Sequence, residues 1–244
     1  MRILITNDDS ISSSVLLPLI QWASKLGEVT TIVPKYEQSG KSHGIEIHKP
    51  FEVLKVELAP GIEVYTVDSS PADCVRFAFY GLHETYDLVI SGINRGLNVG
   101  LDMIYSGTVG AIFEAACFGV PAIALSTVPE TFDAALAQLD NVWNFFAEHN
   151  LWEKHSLYNV NIPLAPKGIR ITQQGGRYYA DEFIPQENNM YMPHGIDVFK
   201  PSQKPELLLD TDAALHYGYV SISPLTLCRT DMNVFNELKQ LNNN

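Results

Sequence analysis

The chain has 244 residues, of which 46% are hydrophobic, so it can bury a substantial core in one large domain or one domain with an appendage. Its 28 acidic and 16 basic residues give a net charge of −12, which would repel a polyphosphate backbone. We therefore expect no nucleic-acid polymer as a partner. A small phosphorylated ligand stays compatible with this charge, because a bound cation and a few backbone amides act locally.

The N-terminal segment predicts no export signal, because its apolar run is only three residues long before Thr6. The longest mostly apolar stretch, 111–125, contains a glutamate, a glycine and a proline, so it predicts no membrane span. We expect a cytoplasmic protein with no membrane partner. Three widely spaced cysteines indicate buried, reduced thiols: Cys74, Cys117 and Cys228.

Short apolar runs alternate with amphipathic segments, which is typical of a parallel sheet covered by helices on both faces. Residues 45–67 alternate in a pattern that favours a β-hairpin inserted in this core. In chain order, the predicted elements are a strand at 2–6, a helix at 15–26, a strand at 29–34, the hairpin, a helix at 71–82, a strand at 86–91, a helix at 108–118, a strand at 122–126, a helix at 129–148 and a strand at 158–162.

The pattern changes after Pro163. Residues 164–206 contain several prolines and scattered aromatic residues, which favours extended arms and loops over packed helices. A strand is predicted at 217–223. A short amphipathic helix is predicted at 231–241, with Thr230 as its cap. An arm of this kind often pairs with another subunit.

Polar side chains follow the ends of three predicted strands. Asp8 and Asp9 come directly after the first strand, Ser39 lies beyond the second, and Asn94 lies beyond the third. Ligands of open α/β sheets bind beyond the carboxyl ends of the strands, where these groups would meet. Because neighbouring strand residues point to opposite faces, both carboxylates can reach one ion only if the chain bends at 7–10. The all-oxygen set favours Mg²⁺, Mn²⁺ or Ca²⁺ over zinc.

A second pattern is suited to an anion. The segment YSGTVGA, 105–111, stands just before an apolar helix. Free amides at the start of that helix, together with the hydroxyls of Ser106 and Thr108, form a site suited to a phosphate.

Each feature also has a simpler interpretation. Adjacent aspartates are often solvated or capping residues, Ser106 and Thr108 could merely cap a helix, and Asn94 could belong to an ordinary turn. Four such features at successive strand ends are harder to attribute to chance, because the fold brings those ends together. SGKS at 39–42 is not a P-loop, since Lys35 stands where the first glycine is required. The first strand is not followed by GxGxxG, so a dinucleotide site lacks its fingerprint.

Eight segments stand out along nearly the whole chain, in this order: ILITNDD, EQSG, SPADCVRFAF, DLVISGINRGLNVG, YSGTVGAIFEA, GVPAIALS, NVNIP and DTDAALHYGYVSISPL. Together they resemble one family, the SurE survival proteins, which are metal-dependent nucleoside monophosphate phosphatases. It is the order of the segments that makes the resemblance specific.

The resemblance implies a three-layer α/β/α Rossmann-like core with a mostly parallel sheet. We expect a single domain, 1–244, in which 1–163 is the catalytic core and 164–244 is a β-rich arm with a C-terminal helix. The resemblance further implies that these arms are exchanged within a homodimer or homotetramer.

The resemblance also implies one divalent metal ion per subunit, Mg²⁺ or Mn²⁺, with Ca²⁺ an alternative in a crystal. It implies 5′- or 3′-nucleotidase activity, sometimes with action on short polyphosphate. The implied metal ligands are Asp8, Asp9, Ser39 and Asn94.

Our mechanistic hypothesis is that the metal polarises the phosphoryl group and lowers the pKa of an attacking water. Asp8 and Asp9 are the catalytic candidates, one of them as general base. A covalent aspartyl-phosphate route and a non-catalytic nucleotide-binding regulator are the alternatives. The groups expected to hold the phosphate oxygens are Asn94, Ser106, Gly107 and Thr108.

Three positions depart from the family pattern. Ser10 replaces the glycine usual after the paired aspartates, the loop after Pro34 lacks the common Asp-Arg, and Ser69 and Ser70 replace the usual Gly-Thr before Pro-Ala-Asp. None of these changes removes a proposed ligand. We expect Ser10 to stiffen the turn, and the altered loop to bear on substrate preference.

Overall fold

Strands and helices alternate along most of residues 1–243, the part of the chain that this computed structural model describes. No helix in that part is both long and apolar enough to cross a membrane. The strands are β1 (Arg2–Thr6), β2 (Glu28–Pro34), β3 (Val53–Ala59), β4 (Ile62–Val67), β5 (Leu88–Arg95), β6 (Ala122–Thr127), β7 (Leu157–Ile162), β8 (Ile169–Ile171), β9 (Tyr179–Pro185), β10 (Tyr191–Asp197) and β11 (Val220–Pro224). The α-helices are α1 (Leu16–Ala23), α2 (Pro71–Arg76), α3 (Gly107–Cys117), α4 (Asp133–Glu148), α5 (Leu151–Lys154) and α6 (Met232–Leu238).

Within the described residues, the main sheet has nine strands in the order β3-β4-β2-β1-β5-β6-β7-β11-β8. The pairs β3–β4 and β7–β11 are antiparallel, and the remaining neighbours run parallel. The prediction of a mostly parallel sheet is therefore confirmed. Strands β9 and β10 form a separate antiparallel hairpin.

The sheet is covered on both faces because its buried strand residues alternate in direction. Ile3 and Ile5 of β1 pack in one core cluster with residues of α1 and α4. Leu4, between them, packs in the other cluster with residues of α2 and α3. This arrangement confirms the three-layer α/β/α fold, and it leaves the carboxyl ends of the central strands open to loops.

The predicted hairpin and the long predicted helix begin several residues later than expected, and the strand predicted at 86–91 begins at Leu88. The hairpin starts at Val53 rather than at residue 45, because the Glu46 carboxylate accepts the backbone N–H groups of His48 and Lys49 in a local turn. The long helix starts at Asp133 rather than at residue 129.

Three predicted helices end earlier than expected, and the first of them, predicted at 15–26, ends at Ala23. The helix predicted at 71–82 is α-helical only to Arg76 and continues as a wider π-helical turn, Phe77–Gly81. The last helix spans Met232–Leu238, and the prediction of Thr230 as its cap was wrong by one residue. The Asp231 carboxylate accepts the first free N–H groups instead.

Residues beyond 163 contribute to the core sheet as well as to an arm. The strand predicted at 217–223 is Val220–Pro224, and it joins β7 to β8 at the edge of the main sheet. Extended structure was predicted for 164–206, and this region holds β8, β9 and β10. The assignment of the region to exchange between subunits stays a prediction.

The cysteines are all free thiols, but their predicted burial was right for one of the three. Cys74 is buried, whereas Cys117 and Cys228 are exposed.

Candidate functional site

The carboxyl end of β1 turns sharply at the paired aspartates. The Asn7 side-chain amide donates a hydrogen bond to the Ser10 carbonyl over 2.9 Å. Ser10 has a φ of 69°, in the left-handed region that glycine occupies at less cost. The predicted bend at 7–10 is therefore confirmed, with a serine held in a backbone conformation better suited to glycine.

Asp8 connects this bend to two other elements. Its side chain is 4% exposed, and its carboxylate accepts the Thr108 hydroxyl over 2.6 Å and the Thr108 N–H over 3.3 Å. Its backbone carbonyl accepts the N–H of Gln38 over 2.8 Å. The residue thus links β1 to the first turn of α3 and to the loop that carries Ser39.

Asp9 has a different partner and more contact with solvent. Its Oδ2 atom accepts the backbone N–H of Arg95 over 3.0 Å, at the end of β5. The other carboxylate oxygen makes no hydrogen bond to the described residues. The two adjacent carboxylates are thus held by α3 and β5 respectively.

Asn94 and Ser39 present oxygen atoms in different ways. The Asn94 amide nitrogen donates to the Gly96 carbonyl over 2.7 Å, so its oxygen is the group left to meet a ligand. The exposed Ser39 hydroxyl donates to the Glu37 carboxylate over 2.6 Å, which leaves its oxygen as an acceptor.

One cavity of about 760 Å³ brings four of the predicted site residues together. Asp8, Ser39, Asn94 and Ser106 all line it. Its volume lies within the usual range of roughly 300–1,000 Å³ for small-molecule sites. Asp9, Gly107 and Thr108 do not contribute to its described lining.

The start of α3 differs in detail from the expected anion site. The Ser106 hydroxyl oxygen caps the helix by accepting the Val109 N–H over 3.1 Å. Gly107 packs so closely that a Cβ atom there would lie 3.1 Å from Cβ of Asp8. Thr108 is fully buried, and both its hydroxyl and its N–H already bond to Asp8. A role for Thr108 in holding phosphate stays a prediction, and it requires these bonds to Asp8 to rearrange.

Without a bound cation, the ionised forms of Asp8 and Asp9 are electrostatically unfavourable. Burial raises the pKa of Asp8 to about 6, hydrogen bonds from Thr108 oppose that rise, and the nearby charge of Asp9 adds to it. Burial also raises the pKa of Asp9, against the hydrogen bond from the Arg95 backbone. A cation beside both groups would remove this cost, and the surrounding oxygen donors are those that hard divalent ions prefer. The residues present therefore fit a divalent metal ion.

This cost predicts a pH dependence of stability. Since the pKa of Asp8 is higher in the folded than in the unfolded chain, the folded state binds more protons between pH 3.8 and about 6. The free energy of unfolding should therefore fall as the pH rises through that interval, by on the order of 2–3 kcal/mol. Urea unfolding of the chelator-treated protein and of Asp8→Asn would measure it. If the free energies of unfolding of the two proteins differed by the same amount at every pH in the interval, the prediction would be contradicted.

Several residues of the cavity were not among the predicted site residues. Asn98 donates its backbone N–H to the Asn161 side chain over 2.7 Å, and its amide donates to the Ser126 hydroxyl over 2.8 Å. Asn98 lies four residues after Asn94, but it entered the sequence analysis only as part of a segment that carries the family resemblance. The other cavity residues that were missed include Arg95, Leu97, Asp102, Tyr105, Arg177, Tyr178, Tyr179 and Asp181.

The fold and cavity define a class: an α/β protein with an oxygen-rich cavity at the carboxyl edge of its parallel strands. Within this class, the family model Survival protein SurE matches residues 3–181. The chain belongs to the SurE family.

Relatives extend the match over nearly the whole chain. A protein named 5′-nucleotidase SurE from Thermoanaerobacter sp. (strain X514) is 38% identical over 250 residues, covering 98% of this chain and 97% of the relative. A protein of the same name from Cereibacter sphaeroides (strain ATCC 17029 / ATH 2.4.9) is 39% identical over 266 residues, covering 99% of this chain and 98% of the relative. The crystal structure of the SurE protein from Aquifex aeolicus has a TM-score of 0.78 at 28% identity, covering 99% of this chain and all of that one.

Proposed function

We propose that the protein is a divalent-metal-dependent 5′-nucleotidase that hydrolyses nucleoside monophosphates to nucleoside and phosphate. The observation that carries the proposal is the buried Asp8 carboxylate, which lines one cavity with oxygen donors and the capped start of α3. The activity named for the relatives supports the choice of substrate class. Action on nucleoside 3′-monophosphates belongs to the same proposal.

In this proposal the metal ion is held by oxygen atoms of Asp8, Asp9, Ser39 and Asn94. Mg²⁺ or Mn²⁺ fits this donor set. When bound, such an ion polarises a phosphoryl oxygen and lowers the pKa of a bound water.

The chain's own residues bind the phosphate and handle the proton. The Ser106 hydroxyl accepts the Val109 N–H with its oxygen, so its hydrogen is free to be donated to a phosphate oxygen. The start of α3 adds a favourable dipole there. The Asp9 Oδ1 atom is the better proton acceptor, because Oδ2 holds the Arg95 N–H and both oxygens of Asp8 are bonded to Thr108.

A covalent aspartyl-phosphate route is less well supported by this geometry. A nucleophilic carboxylate needs an oxygen aimed at the phosphorus atom. Asp8 is nearly fully buried, and its two oxygens accept hydrogen bonds from Thr108. Trapping with radiolabelled substrate distinguishes the routes, and a stable acyl-phosphate on Asp8 would establish the covalent one.

The activity is tested by measuring phosphate release from a panel of nucleoside 5′- and 3′-monophosphates with Mg²⁺, with Mn²⁺ and with a chelator. We expect release with at least one metal, loss of release with the chelator, and recovery when metal is added back. Nucleotide binding without release under any metal would instead indicate a non-catalytic regulator.

We also propose that the chain forms a homodimer or homotetramer through its C-terminal arms. The β9–β10 hairpin exposes Phe183 and Tyr191, and α6 exposes Val234 and Phe235. Exposed apolar residues grouped on projecting elements support association. Light scattering after size-exclusion chromatography would test the proposal, and a monomer at micromolar concentration would refute it.

The proposed location is the cytoplasm. Three free thiols suit a reducing compartment. Fractionation of cells that express the tagged protein would test this, and recovery outside the cytoplasm would refute it.

A further inference from the structure

The far wall of the cavity is built by the segment that leads into β9. Arg177, Tyr178 and Tyr179 line the same cavity as Asp8 and Asn94, and Pro193 and Gly195 of β10 complete that wall. The cavity therefore has an oxygen-rich end at the core strands and an aromatic end at the arm. The phosphoryl chemistry proposed above uses only the first end.

A carboxylate of the core holds the aromatic end in place. The Oδ2 atom of Asp102 accepts the backbone N–H groups of both Tyr178 and Tyr179, each over 2.7 Å. Asp102 lies in the short 3₁₀ helix Gly100–Tyr105, directly before the Ser106 cap of α3. The aromatic wall and the phosphate end are thus both connected to one short helical segment.

The chain just before the two tyrosines is fixed to the same segment. The Gln174 amide donates to the Gly100 carbonyl over 2.9 Å, and the Leu101 N–H donates to the Gly176 carbonyl over 3.1 Å. Gly100 has a φ of 58°, and a Cβ atom there would lie 1.9 Å from the Gly176 carbonyl oxygen. So close a backbone approach shows that the segment is packed against the core rather than loosely attached.

Asp210 adds a second, fully buried anchor. Its carboxylate accepts the N–H of Gly100 over 3.0 Å and the N–H groups of Gly175 and Thr211 over 2.7 Å each. Two carboxylates, Asp102 and Asp210, therefore fix the segment that carries the aromatic pair.

The two tyrosines line the cavity and pack ring against ring. Their ring centroids are 4.2 Å apart, and Tyr178 also meets Phe199 edge to face at 6.2 Å. Tyr179 is 45% exposed. An aromatic surface of this kind stacks with planar heterocycles of any base identity, whereas the phosphate end recognises only the ester.

We propose that Tyr178 and Tyr179 form the nucleobase-binding wall of the site, with Asp102 and Asp210 as positioning residues. The wall favours phosphomonoesters that carry an aromatic base over sugar phosphates that have the same ester group but no base. This inference rests on the proposed nucleotidase function, and it names the part of the substrate that the arm recognises.

The test compares AMP with ribose 5-phosphate, which carries the same ester without a base. The readout is the ratio of kcat/KM for AMP to kcat/KM for ribose 5-phosphate. We expect Tyr178→Leu and Tyr179→Leu to lower this ratio about tenfold through KM for AMP, because stacking is lost. Tyr178→Phe should preserve it. An unchanged ratio in both leucine variants would overturn the proposal, as would an equal loss for both substrates.

Two further measurements separate this inference from its alternatives. Tyr80→Leu, at an exposed tyrosine outside the cavity lining, should leave the ratio as in the wild type. Asp102→Ala should lower the ratio of kcat/KM values and speed tryptic cleavage after Arg177. In Asp102→Asn, much of the wild-type ratio and of the wild-type resistance to trypsin should be retained. Rapid cleavage without a change in the ratio would assign Asp102 a structural role only and remove it from the proposal.

The two proposals can also fail separately. If the wild type hydrolyses neither AMP, ribose 5-phosphate nor any other nucleoside monophosphate of the panel with any metal, the nucleotidase proposal fails. Binding of adenosine, measured by calorimetry, then tests the aromatic wall alone. We expect about tenfold weaker binding by the leucine variants, and equal binding by wild type and both variants would overturn the inference.

Discussion

Asp8→Asn is expected to lower kcat for nucleoside monophosphate hydrolysis by roughly 10³-fold or more. An asparagine keeps the size of the side chain and one acceptor for Thr108, but it removes the negative charge that the proposed cation needs. The same change removes a carboxylate whose pKa burial raises to about 6, so the metal-free variant should be at least as stable as the wild type at neutral pH. Phosphate release and urea unfolding measure the two effects.

The matched control for this substitution is Asp133→Asn. Asp133 is exposed in the first turn of α4 and does not line the cavity, so its loss should leave kcat within about twofold. Calorimetric titration with Mn²⁺ adds a readout independent of turnover, in which Asp8→Asn should bind the ion more weakly. Full activity of Asp8→Asn would exclude Asp8 from the metal site, whatever its stability.

Asp210→Ala is expected to lower the free energy of unfolding by about 3 kcal/mol or more. The substitution leaves the backbone N–H groups of Gly100, Gly175 and Thr211 without their acceptor in a buried setting. Burial raises the pKa of Asp210, and the three N–H groups oppose that rise, so the carboxylate depends on these donors. Urea unfolding followed by circular dichroism measures the loss.

Two other substitutions calibrate that result. Asp210→Asn keeps an acceptor oxygen and should cost less than alanine. Asp197→Ala removes an exposed carboxylate that, within the described residues, accepts only the Phe199 N–H, and it should cost less than about 1 kcal/mol. Equal effects of Asp210→Ala and Asp197→Ala would show that the buried network contributes little to stability.

The layered fold could be predicted because it depends on patterns local in the sequence. Alternating burial along β1, with Ile3 and Ile5 opposed to Leu4, follows from the two-residue period of a strand. Element boundaries were less predictable because neighbouring residues compete for the same role. Both Thr230 and Asp231 are good caps, and only the backbone conformation shows that Asp231 accepts the free N–H groups.

The candidate site was predictable only in part, for a related reason. Groups at strand ends could be identified because the fold class places those ends together. The bond between Asp8 and Thr108 joins residues 100 positions apart, and the bond between Asp102 and Tyr178 joins residues 76 apart. Neither pair leaves a periodic trace in the sequence. The arm was therefore assigned to contacts between subunits, whereas it also builds one wall of the cavity.

The hydrogen bonds of Asp8 and Asp9 affect the entropy cost of binding a ligand. Its carboxylate bonds to the start of α3, its carbonyl holds the N–H of Gln38, and the adjacent Asp9 holds the N–H of Arg95. A helix start, a loop and a strand end that are distant in sequence are thus joined when the chain folds. The conformational entropy of these segments is lost in folding, so a ligand that uses these contacts as they stand does not bear that cost on association.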